Sequence, residues 1–229
     1  MTKASGLVAL GREALALARQ ARLLRHDIST VVPAGADRDV AVLVHGFLAT
    51  AGVLRPLAEV LERDAGVAIA SFTHAPGTPV TVLAERLRAL VRQLEHAERI
   101  HLIGHSIGGL AVRLFVQELG GDPRVVGTIS IASPFAGARR ARLLPGQLGR
   151  ELEPGSPLLT LLRDGAARAS GPPHFAIAGT HDAVIHAGFE QAAWERLSVA
   201  GGAHNSVLYD PEVLRAVAAR VRAASRGVL

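Results

Sequence analysis

Residues 100–115 constrain this chain more than any other stretch. Ile100-His101-Leu102-Ile103 is an apolar, strand-like run. Gly104-His105-Ser106-Ile107-Gly108 follows it, and Leu110-Ala111-Val112-Arg113-Leu114-Phe115 then reads as a helix. A strand, a sharp Gly-flanked turn carrying Ser, and a helix together describe a nucleophile elbow, with the serine held in a strained backbone conformation. The glycines have a steric reason, because side chains beside the serine would collide as strand and helix close up. The helix N-terminus favours negative charge developing at the serine. Out of context the same five residues would be a Gly/Ser turn ending a strand. The flanking strand and helix make Ser106 a candidate nucleophile.

The rest of the chain repeats the alternation. Strands are expected at Val40–Val44, Val67–Phe72, Ile100–Ile103, Val125–Ile131, Phe175–Ala178 and Leu197–Val199, and helices at about 52–64, 79–97, 107–119, 188–194 and 211–224. Thr78-Pro79 and Asp210-Pro211 each place a capping oxygen before a Pro at a helix start. Apolar strands alternating with helices predict an α/β fold, a mostly parallel sheet with helices on both faces. Residues 135–172 break this rhythm, with Arg139, Arg140, Arg142, Pro145, Pro154 and Pro157 set among leucines. They read as a helical insertion standing over the crevice at the strand ends, either a lid and acyl-binding wall or a plain cap. Residues 1–28 form a separate N-terminal amphipathic helix ahead of a domain over 29–229. Leu7, Leu10, Ala14, Leu17, Ala21 and Leu24 recur there at helical spacing, with Arg12, Arg19, Arg22 and Arg25 elsewhere on the helix. Such a helix either packs on the domain or lies on a membrane surface.

Composition removes whole classes of function. At 229 residues and 49% hydrophobic the chain is globular, and with 3% aromatics its core is built from Leu, Val, Ala and Ile. It has no cysteine, hence neither disulfides nor thiolate metal sites. The net charge of +5 is carried almost wholly by arginine, Lys3 being the only lysine. The Arg139–Arg142 cluster lacks interleaved aromatics, so nucleic acid is not an expected partner. The charge is compatible with weak peripheral contact at an anionic lipid interface. No stretch spans a bilayer, and Leu7-Val8-Ala9-Leu10 is too soon broken by Arg12 and Glu13 for a convincing secretory signal, so a cytoplasmic location is expected, with secretion as the alternative. Oligomeric state is not legible.

Several motifs stand in a telling order: Val44-His45-Gly46-Phe47, Gly104-His105-Ser106-Ile107-Gly108-Gly109-Leu110, Ser130-Ile131-Ala132-Ser133-Pro134, Gly179-Thr180-His181-Asp182-Ala183-Val184-Ile185 and Gly202-Ala203-His204-Asn205-Ser206. Through them, residues 38–225 resemble the α/β-hydrolase superfamily, and within it bacterial triacylglycerol lipases and carboxylesterases. Where those lipases carry His after Ser-Pro or Thr-Pro, this chain carries Phe135.

The resemblance and the chemistry point to the same residues. A serine hydroxyl needs a base that takes its proton as it attacks. His204, late in the chain and just past the last strand, is the candidate. His45 and His105 belong to other loops, His101 lies within a strand, and His174, His181 and His186 belong to the preceding strand and its loop. Asp182, after the strand 175–178, is the carboxylate that would hold the His204 tautomer, giving the order Ser106, Asp182, His204. Asp210 reads as a helix cap and Asp122 as part of a turn. Two backbone N–H groups should face the oxyanion: Ile107, next to the serine, and Phe47, after the first strand. His45, Gly46, Leu48, Phe135, Leu143 and Leu144 are the expected substrate-contacting residues. Neither cofactor nor metal is called for. The expected activity is hydrolysis of a small ester or lipid through an acyl-enzyme. Acyl transfer, thioester hydrolysis or a non-catalytic binding role on the same fold are the alternatives.

Overall fold

A computed structural model describes residues 3–26, 39–168, 171–185 and 194–227, residues 3–5 by backbone alone. The elements, in chain order, are α1 (Lys3–Leu23), β1 (Asp39–Val44), α2 (Arg55–Ala65), β2 (Ala68–Phe72), α3 (Val80–Gln93), β3 (Arg99–His105), α4 (Ile107–Glu118), β4 (Val125–Ile131), α5 (Gly146–Leu152), α6 (Pro157–Ala167), β5 (His174–Gly179), β6 (Glu195–Val199) and α7 (Pro211–Ser225). Short 3-10 turns occupy 51–54, 141–143 and 206–209. The helix expected at 188–194 lies, apart from Trp194, outside the described residues.

The strands form one parallel sheet in the order β2-β1-β3-β4-β5-β6. Alternate residues of each strand enter opposite cores. Val40, Val42 and Val44 join Ile100 and Leu102 beneath α3, α4, α5 and α6. Ala41 and Leu43 join Ile103, Ile129 and Ile131 against α2 and α7. The inner strand β1 is covered on both faces and carries only Asp39 as a polar residue, whereas the edge strand β6 exposes Glu195, Arg196 and Ser198. The strand order reverses between β1 and β3, and a crevice opens at the carboxyl ends of strands at such a point. Ser106 ends β3 and His45-Gly46-Phe47 ends β1, so the fold puts both at that crevice.

Local chemistry sets the element ends, in places differently from the sequence reading. Asp210 caps α7, its carboxylate accepting from Glu212 N at 2.8 Å. Thr78 does not cap α3. Its hydroxyl donates back to Ala75 O, and the N-terminus of α3 is met instead by buried Glu151 of α5, which accepts from Val80 N at 2.6 Å and Thr81 Oγ1 at 2.9 Å. A charged acceptor on those first N–H groups outcompetes a neutral hydroxyl. α3 also stops at Gln93, short of the expected 97, because Arg124 gathers the carbonyls of Val91, Leu94 and Ala97.

Helix α1 packs on the domain with the face opposite to its leucine stripe. Ala9 and Ala16 are buried, while Leu7, Leu10 and Leu17 are 71%, 68% and 50% exposed. The reason is polar. Glu13 accepts from the backbone N–H groups of Asn205 and Ser206, at 3.0 Å each, and from Asn205 Nδ2 at 2.6 Å, while Gln20 donates to Asn205 Oδ1. Those contacts and two small alanines decide the rotation of the helix, leaving its larger side chains outside.

The segment 135–172 holds α5 and α6 and is tied down on several sides. Glu151 bonds α3, Gln117 of α4 donates to Leu162 O, and Ala138 pairs with Ile185 of the loop after β5. Ser156 caps α6, accepting from Leu159 N.

Candidate active site

At the elbow, the sequence dictates a close approach. A Cβ on Gly104 would lie 2.3 Å from Gly108 C and Gly109 N, and one on Gly108 would lie 2.2 Å from Val44 O. No side chain fits at either position, so α4 springs directly from the end of β3. Ser106 itself is held at φ 55 and ψ −122, fixed by its N–H donating to Ile131 O at 2.8 Å. Leu48 and Ala132, at the ends of β1 and β4, also have positive φ, 54 and 51. Strained non-glycine residues thus line the crevice.

Ser106 Oγ lies 3.1 Å from His204 Nε2, and His204 Nδ1 lies 2.8 Å from Asp182 Oδ2. The carboxylate can only accept, so the proton of neutral His204 sits on Nδ1 and the lone pair of Nε2 faces the serine hydroxyl. The Asp182 carboxylate is held from both sides, its other oxygen accepting from Val184 N at 2.8 Å and Ile185 N at 3.2 Å. Burial alone would raise its pKa, but the hydrogen bond and charge of His204 and these two N–H groups outweigh that and hold the carboxyl below its ordinary value. The loops carrying Asp182 and His204 are pressed together. His181 N donates to Gly202 O, and a Cβ on Gly179 would lie 2.2 Å from the same oxygen.

His105 lies directly against His204. It is buried, its Nε2–H donates to His204 O at 3.2 Å, and the two rings are 5.4 Å apart. Burial pushes its pKa down to about 3, with the neighbouring His204 acting in the same direction, so it stays neutral there.

The N–H groups of Phe47 and Ile107 donate to no acceptor among the described residues. Gly46 packs against the serine, since a Cβ there would lie 3.0 Å from Ser106 Cβ. The expected substrate-contacting residues divide. Gly46 borders the serine, and Leu48, two residues further on, is exposed. Phe135, with Ser133, Ile177, Asp182, Ile185 and Trp194, lines a cavity of about 360 Å³ whose lining includes neither Ser106 nor His204. Leu144 packs into the core and Leu143 points to solvent, 76% exposed. His45 is fully buried, and both ring nitrogens are engaged within the protein.

What engages His45 is His74, a residue the sequence reading passed over. The two rings stack at 3.8 Å and 6°. His74 N donates to His45 Nε2 at 3.1 Å, which places the His45 proton on Nδ1, and this donates to Gly46 O at 2.8 Å. His74 Nε2 in turn lies 3.2 Å from His45 O. Burial lowers the His74 pKa, and its other ring nitrogen, Nδ1, lies 3.3 Å from Ala75 O, so both ring nitrogens face backbone carbonyls. The peptide leading into Phe47 is therefore clamped from both ends. Nothing in the sequence near His74, two residues past β2, marks this.

Among the described residues no group of three His, Asp or Glu side chains comes together as metal ligands. The arrangement suits proton removal from Ser106 by His204, with negative charge collected at the N-terminus of α4.

Comparison with known proteins supports the fold. The chain matches carboxylesterase CesB (YbfK) from Bacillus subtilis with a TM-score of 0.60 at 17% identity, over 98% of this chain and 99% of that one. It matches Bacillus licheniformis lipase BlEst2 in mature form with a TM-score of 0.65 at 15% identity, over 82% and 94% of the two chains. A Pyrobaculum calidifontis esterase matches at 0.60 and 14% identity, over 97% and 94%. These likenesses establish an α/β-hydrolase fold. No curated protein matches significantly. The profile of the palmitoyl protein thioesterase family matches residues 41–169, which run from β1 through the elbow to the end of α6 and make up more than half of the chain. The chain thus belongs to the palmitoyl protein thioesterase family.

Proposed function

We propose that this protein is a serine hydrolase that cleaves acyl esters through an acyl-enzyme on Ser106. The observation that carries the reading is the unbroken hydrogen-bonded line from Ser106 Oγ through both nitrogens of His204 to Asp182. In this reading His204 Nε2 takes the hydroxyl proton as Oγ attacks the carbonyl carbon. The oxyanion is received by the N–H groups of Phe47 and Ile107. The same His then protonates the leaving alcohol, and water activated by His204 releases the acid. Asp182 keeps the proton of the neutral ring on Nδ1 and stabilises the imidazolium. Segment 135–172 acts as a fixed wall, its ties to α3, α4 and the acid loop opposing a hinged lid.

The family match favours a second reading, in which the bond cleaved is a thioester. The residues and steps are the same, but a thiolate leaves more readily than an alkoxide and depends less on protonation by His204.

One experiment tests both. Initial rates are measured on p-nitrophenyl esters from acetate to palmitate and on acyl-coenzyme A thioesters of matching length, with wild type and Ser106→Ala. Turnover lost in the variant supports the serine hydrolase, and the ratio of the two series chooses ester or thioester. Turnover that persists in Ser106→Ala, or a folded wild type inactive on every compound, overturns it.

A further inference from the structure

The outward face of α1 is unlike an ordinary surface helix. At about 100° per residue, the domain-facing stripe is Ala9, Glu13, Ala16, Gln20 and Leu23. Leu7, Leu10, Leu15 and Leu17 all point away from it, with 71%, 68%, 74% and 50% of their surfaces exposed. Arg12, Arg19, Arg22 and Arg25 are exposed too. The only carboxylate in residues 1–26 is Glu13, which is turned inward and engaged by backbone N–H groups. The outer face therefore combines large apolar side chains with guanidinium groups and carries no acid.

We propose that this face is a docking surface for an anionic lipid bilayer. The leucines supply apolar area for the boundary between headgroups and acyl chains, and the arginines meet lipid phosphates and carboxylates. Charge complementarity favours lipid over a second copy of the chain, since two such faces would oppose arginine to arginine. The location adds to this. α1 is fastened to the turns 51–54 and 206–209. The first follows the Phe47 loop, and the second begins two residues after His204. A Cβ on Gly52 would lie 2.4 Å from Leu23 O, a measure of how closely the helix end sits on the first turn. Leu48, between Phe47 and that turn, is itself 64% exposed and extends the apolar surface towards the crevice. Docking would bring the mouth of the Ser106 site to a membrane, a consequence that rests on the function proposed above. The binding itself does not.

The test is co-sedimentation of the full chain with vesicles of phosphatidylcholine alone and with about a third phosphatidylglycerol, at low and high salt. Binding to the anionic vesicles, weakened by salt, is expected. Leu7→Glu/Leu10→Glu/Leu17→Glu should lower it by at least about tenfold with an unchanged thermal midpoint, and so should Arg12→Ser/Arg22→Ser, which leaves the leucines in place. Sedimentation equilibrium without lipid reads self-association. Absence of vesicle binding by wild type, equal binding to neutral vesicles, indifference to both variants, or a lipid-insensitive dimer abolished by the leucine variant each overturns the proposal. No substrate enters the assay, so its failure is separate from failure of the hydrolase reading.

Discussion

His74 lies flat against His45, ring on ring at 3.8 Å, and the two exchange hydrogen bonds across the start of the loop that carries Phe47. This pair holds the backbone at the start of that loop from both sides. His74→Ala should therefore lower kcat by up to about 10²-fold, the scale of a misplacement of about 1 Å, with little change in KM. His74→Gln, whose amide can still donate to His45 O, should recover part of the loss. A kcat unchanged in both variants would dissociate the pair from the oxyanion loop.

The Asp182–His204 contact predicts a second result. Asp182→Asn presents an N–H to His204 Nδ1 and stabilises the wrong tautomer, so kcat should fall by roughly 10⁴ while circular dichroism stays native. Near-full activity would assign the acid elsewhere.

Buried neutral histidines set the acid stability. Burial lowers the pKa of His101 from 6.5 to about 4 and of His105 to about 3, and places His74 and His174 below the ordinary value as well. Below pH 6.5 the unfolded chain takes up protons that the native state refuses, so stability falls by up to about 1.4 kcal/mol per pH unit for each of His101 and His105, and His74 and His174 act in the same direction. The loss from His101 continues until its native pKa near 4 and then levels off. Unfolding midpoints should be flat above pH 7 and drop increasingly steeply towards pH 4. His101→Gln should shallow that slope, since His101 bonds Ser225 and does not touch the serine site. An unaltered slope would mean that His101 is not part of it.

Glu151 anchors the insertion to α3. Glu151→Ala should cost about 1–3 kcal/mol in urea unfolding, because it leaves Val80 N and Thr81 Oγ1 without their acceptor. Thr78→Ala, at the cap suggested by the sequence, should stay within about 0.5 kcal/mol. Equal effects at the two positions would contradict the assignment of the cap.

Ser106 and Asp182 were legible as candidates because each follows an apolar strand, and parallel strands deliver their loops to one edge; His204 follows the weak strand β6, where only Leu197 and Val199 are apolar, and stood out by its place in the order of the motifs. The sheet was legible for the same reason. What escaped depends on pairs distant in the chain. Glu151 meets Val80 and His74 meets His45 only once the sheet has formed, and no local pattern announces either. The leucine periodicity of α1 located a helix but not its rotation, because the contacts of Glu13 with Asn205 and Ser206 join opposite ends of the sequence. Hydrophobic spacing marks a face, and polar satisfaction decided which way it turned.

Leu48, Ser106 and Ala132 leave three adjacent strands in a left-handed conformation that L-amino acids disfavour by roughly 1 kcal/mol or more apiece. A screen for heat resistance alone should therefore be drawn to glycine at 48, where the side chain is 64% exposed and the penalty vanishes at no loss of core, and less to 132, where the Ala132 methyl is buried in the core. The resulting proteins would be hardier and looser at the rim that surrounds Ser106. Durability and aptitude for chemistry pull in opposite directions along this one line of residues.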